Sequence, residues 1–303
     1  MNTQIFKDAY AAYLPMPTQL DPHLQGALHH VLKNPGNLIR PQIVFQMAAA
    51  YGMSEDSGME LGIALEYFHT ASLLFDDLPC MDHATERRGT ACVHVGYGES
   101  SAILAALAFI NRAYALTWRA ISAAPPERRR SALAYLEHHL GVGGLLNGQS
   151  LDLNYATLPH TRQTTDQIAM GKTVSLIRLA IVLPALIGGA SEGELRLFDR
   201  VALFWGLSYQ VLDDLKDTLQ SAAETGKTPS RDSALDRPNI ALAIGVPSAV
   251  TRLRRLITLG DKMLRRLVGL QPEIAFLEKL RSNLLREAAL VDQNSCTARG
   301  AVA

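Results

Sequence analysis

The sequence predicts an all-α protein, on three observations. Segments of the form Ser/Thr-x-x-Glu/Gln (Ser57-x-x-Glu60, Thr164-x-x-Gln167 and Ser191-x-x-Glu194) stand ahead of long apolar-periodic stretches, the reciprocal capping pattern that opens a helix. Apolar residues recur at steps of three and four, as at Leu197, Val201, Phe204, Leu212 and Leu215, with Ser208 the one polar interruption; that is a helix face. Alternating β-branched runs are scarce, so almost no sheet is expected.

Along the chain, MNTQIFKDAY has no apolar core of the kind that directs export. Pro35-Gly36 breaks the chain before a helix starting near Pro41. The helix after Ser57 is strongly apolar, with Tyr67, Phe68, Ala71, Leu73, Leu74 and Phe75, and runs into Asp76-Asp77-Leu78-Pro79-Cys80-Met81-Asp82. The longest apolar run, residues 102–110, is far short of the roughly 20 residues of a membrane span, so no span is expected. Ala124-Pro125-Pro126 separates two helices, and Glu137-His138-His139 is assigned to a solvated helix face. Gly171, before Lys172-Thr173, reads as helix-disrupting. The helix after Ser191 leads into Asp213-Asp214-Leu215-Lys216-Asp217, with Lys216 off the Asp213–Asp217 face and pointing outward. Residues 225–238 form the longest loop, and the tail after Val291, lacking periodicity, is expected to be loose. No repeat or linker divides the chain. One domain over 1–303 follows, because consecutive long helices with short joints pack as an antiparallel bundle.

A chain of 303 residues, 48% hydrophobic, can bury a sizeable core. Lys+Arg and Asp+Glu balance at 29 each. There is thus no overall pull toward nucleic acid or an anionic membrane, and any charge logic is local. Cys80, Cys92 and Cys296 are too few and too irregular for a disulfide framework or a zinc site. They read as buried or partly buried thiols of a reducing, cytoplasmic compartment.

The two aspartate clusters carry the chemistry. The first, Asp76, Asp77 and Asp82, ends an apolar helix, where acidic groups oppose the macrodipole and call for a cation. In the second, Asp213 and Asp217 lie one turn apart on one face and repel unless something positive intervenes. Hard oxygen ligands suit Mg²⁺, which binds through carboxylates, waters and substrate phosphates. Cations that could meet phosphate oxygens are Arg87-Arg88 after the first cluster, Lys172 after Gly171, Lys227 after the second cluster, and Arg40 before Pro41.

The segment LLFDDLPCMDHATERRGT resembles the first aspartate-rich motif of the trans-isoprenyl diphosphate synthases, the farnesyl and geranylgeranyl diphosphate synthase group. YQVLDDLKD resembles their second motif, and GKT at Gly171–Thr173 and GQSLDL at Gly148–Leu153 are similar to further family segments, in order, over roughly residues 35–240. The resemblance implies an isoprenoid synthase type fold, an antiparallel helical bundle around a deep central cavity. It implies that Asp76, Asp77 and Asp82, with Asp213, Asp214 and Asp217, hold Mg²⁺, three ions with substrate bound. Arg87, Lys172 and Lys227 would contact the allylic diphosphate, and Arg40, His69 and Arg88 the diphosphate of isopentenyl diphosphate. Gln210 would lie near the reacting carbon chain, and Thr173, beside Lys172, would bind substrate. A homodimer is implied as well.

Three places depart from the family pattern. The stretch usually written Gly-Gly-Lys-Arg-x-Arg-Pro is Pro35 to Pro41 here, with Asn37 where the lysine is usual. An amide binds an anion less strongly than an ammonium. The usual Gly-Asp after the first motif is Ala106-Leu107, and the usual Lys-x-Thr-Tyr is Arg237-Pro238-Asn239-Ile240. The residue five before Asp76, a common cavity floor in the family, is Ala71, next to Ser72. Small residues there point to a product longer than farnesyl, such as geranylgeranyl, unless Phe109 or Phe68 closes the cavity.

The leading expectation is a chain-elongating prenyltransferase. Its rivals are a terpene-synthase-like enzyme, or a prenyltransferase with another acceptor, that ionises an allylic diphosphate without isopentenyl diphosphate; and a non-catalytic partner subunit. Glu66-x-x-His69 has di-iron spacing but no second copy. His69 could instead be a satisfied core histidine, and Gln149 and Asp152 structural hydrogen-bonders.

Overall fold

A computed structural model describes the backbone of residues 3–219 and 237–300, and side chains as far as Val291. Lys227 and most of the predicted 225–238 loop lie outside the described residues. The protein is all-α; among the described residues the one sheet is a two-stranded hairpin. Two compact units are present: Met1–Ala132 with Pro184–Gly189, and Leu133–Leu183 with Ala190–Ala303.

The first unit contains α1 (Thr3–Ala12), α2 (Pro22–Lys33), α3 (Ile39–Ala50), α4 (Glu55–Asp76), the hairpin β1 (Glu86–Arg87) and β2 (Thr90–Ala91), α5 (Val93–Tyr97) and α6 (Glu99–Ser122). Helix α4 is buried on nearly every side from Leu61 to Phe68, the mark of a central helix, and it packs on α3 and α6. Polar groups key α1 onto it: Tyr67 Oη donates to the Tyr10 carbonyl at 2.6 Å, and Tyr10 Oη bonds Thr70 Oγ1 at 2.9 Å. Phe109 of α6 meets both tyrosines, edge-on to Tyr67 with ring centroids 5.0 Å apart and stacked on Tyr10 at 6.3 Å. Deleting a ring so enclosed costs about 3–5 kcal/mol.

The capping expectation needs a shift in two of three places. Ser54, not Ser57, caps α4, its oxygen accepting from Ser57 N–H. Thr161, not Thr164, caps α9 (Arg162–Ala169), accepting from Thr164 N–H. Each has a hydroxyl residue three positions on, so the pattern repeats and the upstream copy wins. Ser191-x-x-Glu194 closes as a reciprocal box: Ser191 N–H donates to Glu194 at 2.9 Å and Glu194 N–H to Ser191 Oγ at 3.3 Å. The third helix begins at Ile39, two residues before Pro41.

Helices α7 (Pro126–Leu140) and α10 (Ser175–Gly188) each contribute to both units. The second unit adds α8 (Leu145–Leu153), α9, a π-helical stretch Met170–Val174, α11 (Glu192–Leu219), α12 (Ile240–Ile244), α13 (Val246–Leu270) and α14 (Leu277–Gly300). Its core joins Leu207, Val211, Leu212 and Leu215 of α11 to Leu253, Leu256 and Ile257 of α13. Lys216 turns away from this core and pairs with Glu287 of α14 at 2.6 Å. The tail expected to be loose continues α14 as backbone to Gly300. Two stretches, Glu99–Ser122 and Arg162–Gly188, are long and apolar enough to cross a membrane by length and composition. Both are substantially buried inside the protein, as core helices of this composition are, and polar residues such as Asn111 and Arg112 interrupt the apolar positions of the first.

His139 corrects the expected solvated face. Glu137 and His138 are exposed, but His139 is 5% exposed, with Tyr135 edge-on at 4.4 Å. Burial, then the neighbouring Arg178 and His138, push its pKa down to about 4. Below pH 6.5 the unfolded histidine binds a proton that the folded one refuses. Stability is therefore intact above pH 6.5 and falls by about 3 kcal/mol as pH drops toward 4. Chemical denaturation across this range checks it: His139→Gln should flatten the slope.

Candidate active site

The first cluster is a loop folded back on the end of α4. Asp77 caps the helix, Asp82 N–H donates to the Asp76 carbonyl at 2.9 Å, and Ala84 N–H to that of Asp77 at 3.2 Å. Asp76 and Asp82 stay half-buried; Asp77 is 3% exposed. The cation that the helix end calls for is Arg87. Its Nε donates to both Asp77 oxygens, at 2.8 and 2.9 Å, and Nη2 lies 2.6 Å from Oδ1.

Arg87 can reach Asp77 because it sits on the hairpin. The turn residues Arg88 and Gly89 both have positive φ, 55° and 74°, as a two-residue hairpin loop of this twist requires. A non-glycine residue there costs of order 1 kcal/mol. The result fixes Arg88, whose Nη1 donates to the Asn34 carbonyl at 3.0 Å. The Pro35–Gly36 turn lies under this guanidinium. Gly36 has φ of 75°, and a Cβ there would come within 2.5 Å of Arg88 Cζ.

Arg40 and Arg88 converge on buried Glu66 and half-buried His69 of α4. Arg40 lies 3.9 Å from Glu66, whose Oε2 has no hydrogen bond, and whose pKa is raised by burial against the pull of both arginines. His69 is held neutral, its pKa well below the usual value because of burial, then Arg40, Arg88 and Arg87. Its Nδ1 is buried without a hydrogen-bond partner, so it is not a satisfied core histidine. Asn37 is exposed, with Oδ1 turned to Ile39 N–H at 3.4 Å. Arg40, His69 and Arg88 are thus brought together, with Glu66 added; Asn37 borders them through the Gly36 turn.

In the second unit Asp213 and Asp217 are half-buried on α11, while Asp214 is 1% exposed and locked. Gln210 Nε2 donates to Asp214 Oδ1 at 2.8 Å, and Ile240 N–H to Oδ2 at 2.7 Å. Asn239 Nδ2 donates to the Asp214 carbonyl at 3.1 Å while its Oδ1 caps α12. The chain continues outward: Thr173 Oγ1 donates to Gln210 Oε1 at 2.8 Å. Gly171 does not break the helix; the helix widens into the π stretch, a form often found at functional sites. A glycine is needed because α8 approaches backbone to backbone: a Cβ on Gly148 would lie 2.4 Å from Lys172 N. That approach brings Asp152 to Lys172, Nζ to Oδ2 2.8 Å.

Sequence reasoning missed Asn239 as a tie on the second cluster. Its signal is an Asn directly before the apolar run Ile240–Ile244, an N-cap pattern. It also left Asp152 undecided; GQSLDL on its own names no partner. Cys80 is exposed and Cys92 buried, so only one of these thiols follows the expectation.

Among the described residues, no three His, Cys, Asp or Glu side chains gather into a closed metal cage. The donor set nonetheless fits Mg²⁺, which is held by one or two carboxylates and completes its shell with water and substrate phosphate. A di-iron site, needing a carboxylate–histidine cage, does not fit.

The comparisons agree with this picture. A family model described as Polyprenyl synthetase matches residues 21–261. The chain is 33% identical over 264 residues to a geranylgeranyl diphosphate synthase of Pseudescherichia vulneris, covering 82% of this chain and 84% of that protein. It is 32% identical over 231 residues to a chloroplastic geranylgeranyl pyrophosphate synthase of Capsicum annuum, covering 76% of this chain but 63% of that one. The chain therefore spans about three-fifths of the length of such chloroplastic relatives. Among solved structures, a geranyltransferase from Helicobacter pylori complexed with magnesium and isoprenyl diphosphate superposes with a TM-score of 0.80 at 25% identity, over 94% of this chain and 95% of that one. An FPP/GFPP synthase from Zymomonas mobilis shares the fold, with a TM-score of 0.74 at 23% identity over 90% and 92% of the two chains. With its aspartate clusters, its hairpin arginines and its π-stretch lysine inside the matched span, the chain belongs to the polyprenyl synthetase family.

Proposed function

We propose that this protein is a Mg²⁺-dependent prenyltransferase that joins isopentenyl diphosphate to an allylic diphosphate, with a geranylgeranyl-length product. The observation that carries the reading is shared by both clusters. In each, one aspartate is buried and tied, Asp77 by Arg87 and Asp214 by Gln210 and Ile240 N–H. The aspartates beside them, Asp76 and Asp82, and Asp213 and Asp217, are thereby held without the full cost of reorganising around a ligand.

In this reading residues 1–303 act as one catalytic domain, and Asp76, Asp77, Asp82, Asp213, Asp214 and Asp217 would hold Mg²⁺, three ions with the allylic diphosphate bound. When bound, the metal neutralises charge that builds on the departing diphosphate. Arg87, Lys172 and Lys227 hold its remaining oxygens. Arg40, Arg88 and neutral His69 hold the second diphosphate; His69, kept uncharged, donates or accepts one hydrogen bond without adding charge. Thr173 and Gln210, mutually bonded, present their dipoles to the reacting carbons. Apolar walls keep the allylic cation from water. Ala71, 1% exposed, with Ser72, leaves room for the growing chain, and Phe109, locked on Tyr10 and Tyr67, is a wall. Ala71→Phe should shorten the product.

The convergence of Arg40, Arg88 and His69 favours isopentenyl diphosphate as acceptor over a terpene-synthase-like reaction. A homodimer belongs to the reading, supported by the exposed row Leu104, Leu107, Tyr114 and Trp118 along α6. No membrane span and a cytoplasmic location belong to it too, although the relatives are named from both chloroplasts and a bacterium.

The test is incubation with Mg²⁺ and dimethylallyl, geranyl or farnesyl diphosphate, with and without isopentenyl diphosphate, and mass spectrometry of the products. Longer diphosphates only with isopentenyl diphosphate support the reading. Hydrocarbons or alcohols without it favour the terpene-synthase-like reaction, and no turnover favours a non-catalytic subunit. Two variants refine it. Asn37→Lys should lower KM for isopentenyl diphosphate about tenfold, the scale of one added charge-assisted bond. Gly36→Ala, by displacing the Arg88 guanidinium, should raise that KM about tenfold and leave KM for the allylic substrate unchanged.

A further inference from the structure

We propose that the cationic face of α13 (Val246–Leu270) docks the protein on an anionic lipid surface. The apolar side of this helix is spent on the core of the second unit, through Leu253, Leu256, Ile257, Met263, Leu264 and Leu267. Its exposed side is an arc of about 120°, at 3.6 residues per turn, carrying Arg254, Arg255, Lys262, Arg265 and Arg266. The other residues of the arc are Pro247, Ser248, Thr251, Thr258 and Gly269; it holds no acidic residue. Asp261, at its edge, is taken by Arg281 of α14 at 2.9 Å.

In a chain whose charges balance at 29 against 29, one helix face with this many cations is a local asymmetry. The cations span about 18 Å along the helix at 1.5 Å per residue, a footprint suited to several headgroups rather than one small anion. Folding does not require Arg255, Lys262, Arg265 or Arg266, which are exposed and carry no role in the site. Two features favour a membrane over nucleic acid. The helix carries no aromatic residue on which a base could stack. One border of the arc is apolar, with half-buried Leu259 and Leu270 at 62% exposure, as at a face lying in the headgroup region. This inference does not depend on the reaction assigned above.

Co-sedimentation of the full chain with vesicles tests it. The vesicles are phosphatidylcholine alone, or phosphatidylcholine with about 30% phosphatidylglycerol, an anionic fraction within the range that attracts polybasic faces. Binding is expected only with phosphatidylglycerol, and to weaken as salt rises. Each surface cation contributes about fivefold. The variant R255Q/K262Q/R265Q/R266Q should therefore lose at least about tenfold in vesicle affinity, with prenyl transfer unchanged. K7Q/K33Q/R130Q/R162Q removes the same charge elsewhere and should bind as the parent does. Should the first variant misfold by circular dichroism, the single reversal Arg265→Glu carries the test, with a loss of at least about fivefold expected. No binding to anionic vesicles, equal loss in both quadruple variants, or binding to duplex DNA but not vesicles would each overturn the proposal.

Discussion

Asp76→Ala or Asp213→Ala should lower prenyl transfer by about 10² to 10³, the scale for losing one fixed charge-stabilising group, while stability stays within about 0.5 kcal/mol. Their immediate neighbours should behave differently. Asp214→Ala strips acceptors from Gln210 Nε2 and the Ile240 N–H, both bonded to a carboxylate that is 1% exposed. Each buried donor left without a partner costs about 1–3 kcal/mol. This variant should lose activity through unfolding, and cooling or a stabilising osmolyte should recover part of it. Turnover and thermal melts on the same preparations separate the two classes. Equal loss of stability in Asp213→Ala would show that the half-buried aspartates are structural too.

The second large effect is at the Arg87–Asp77 pair. Arg87→Ala leaves a carboxylate that is 3% exposed without its bidentate partner. Breaking a buried pair from one side costs about 3–5 kcal/mol. The hairpin that carries Arg87 also carries Arg88, so KM for isopentenyl diphosphate should rise along with the loss of stability. Arg87→Ala/Asp77→Asn should recover much of the stability, because the stranded charge is gone. Denaturant midpoints of the two variants check this. A double variant no more stable than Arg87→Ala would mean that the pair contributes packing rather than charge neutralisation.

Much of this was legible in the sequence because the signals are local. A period of three and four gives the helices, Ser191-x-x-Glu194 caps one of them, and Asp213 and Asp217 share a face by spacing alone. The resemblance supplied the cluster of Arg40, His69 and Arg88, which no local rule assembles. What stayed hidden depends on tertiary approach. Nothing near Gly171 reveals that Gly148 will arrive on it and that the helix will widen instead of breaking. Nothing in Glu137-His138-His139 reveals that the third residue is buried, since one helix turn presents both faces. The division of labour inside each cluster was equally invisible: adjacent aspartates point 100° apart on a helix, and only packing decides which is sealed in.

The most direct test of the central claim is a crystal structure with Mn²⁺ in place of Mg²⁺ and an allylic thiolodiphosphate that cannot ionise, with metal positions read from anomalous scattering. The account predicts manganese in contact with Asp76 or Asp82 and manganese in contact with Asp213, both touching one diphosphate. Metal confined to a single cluster, or a diphosphate bound away from both, would contradict it.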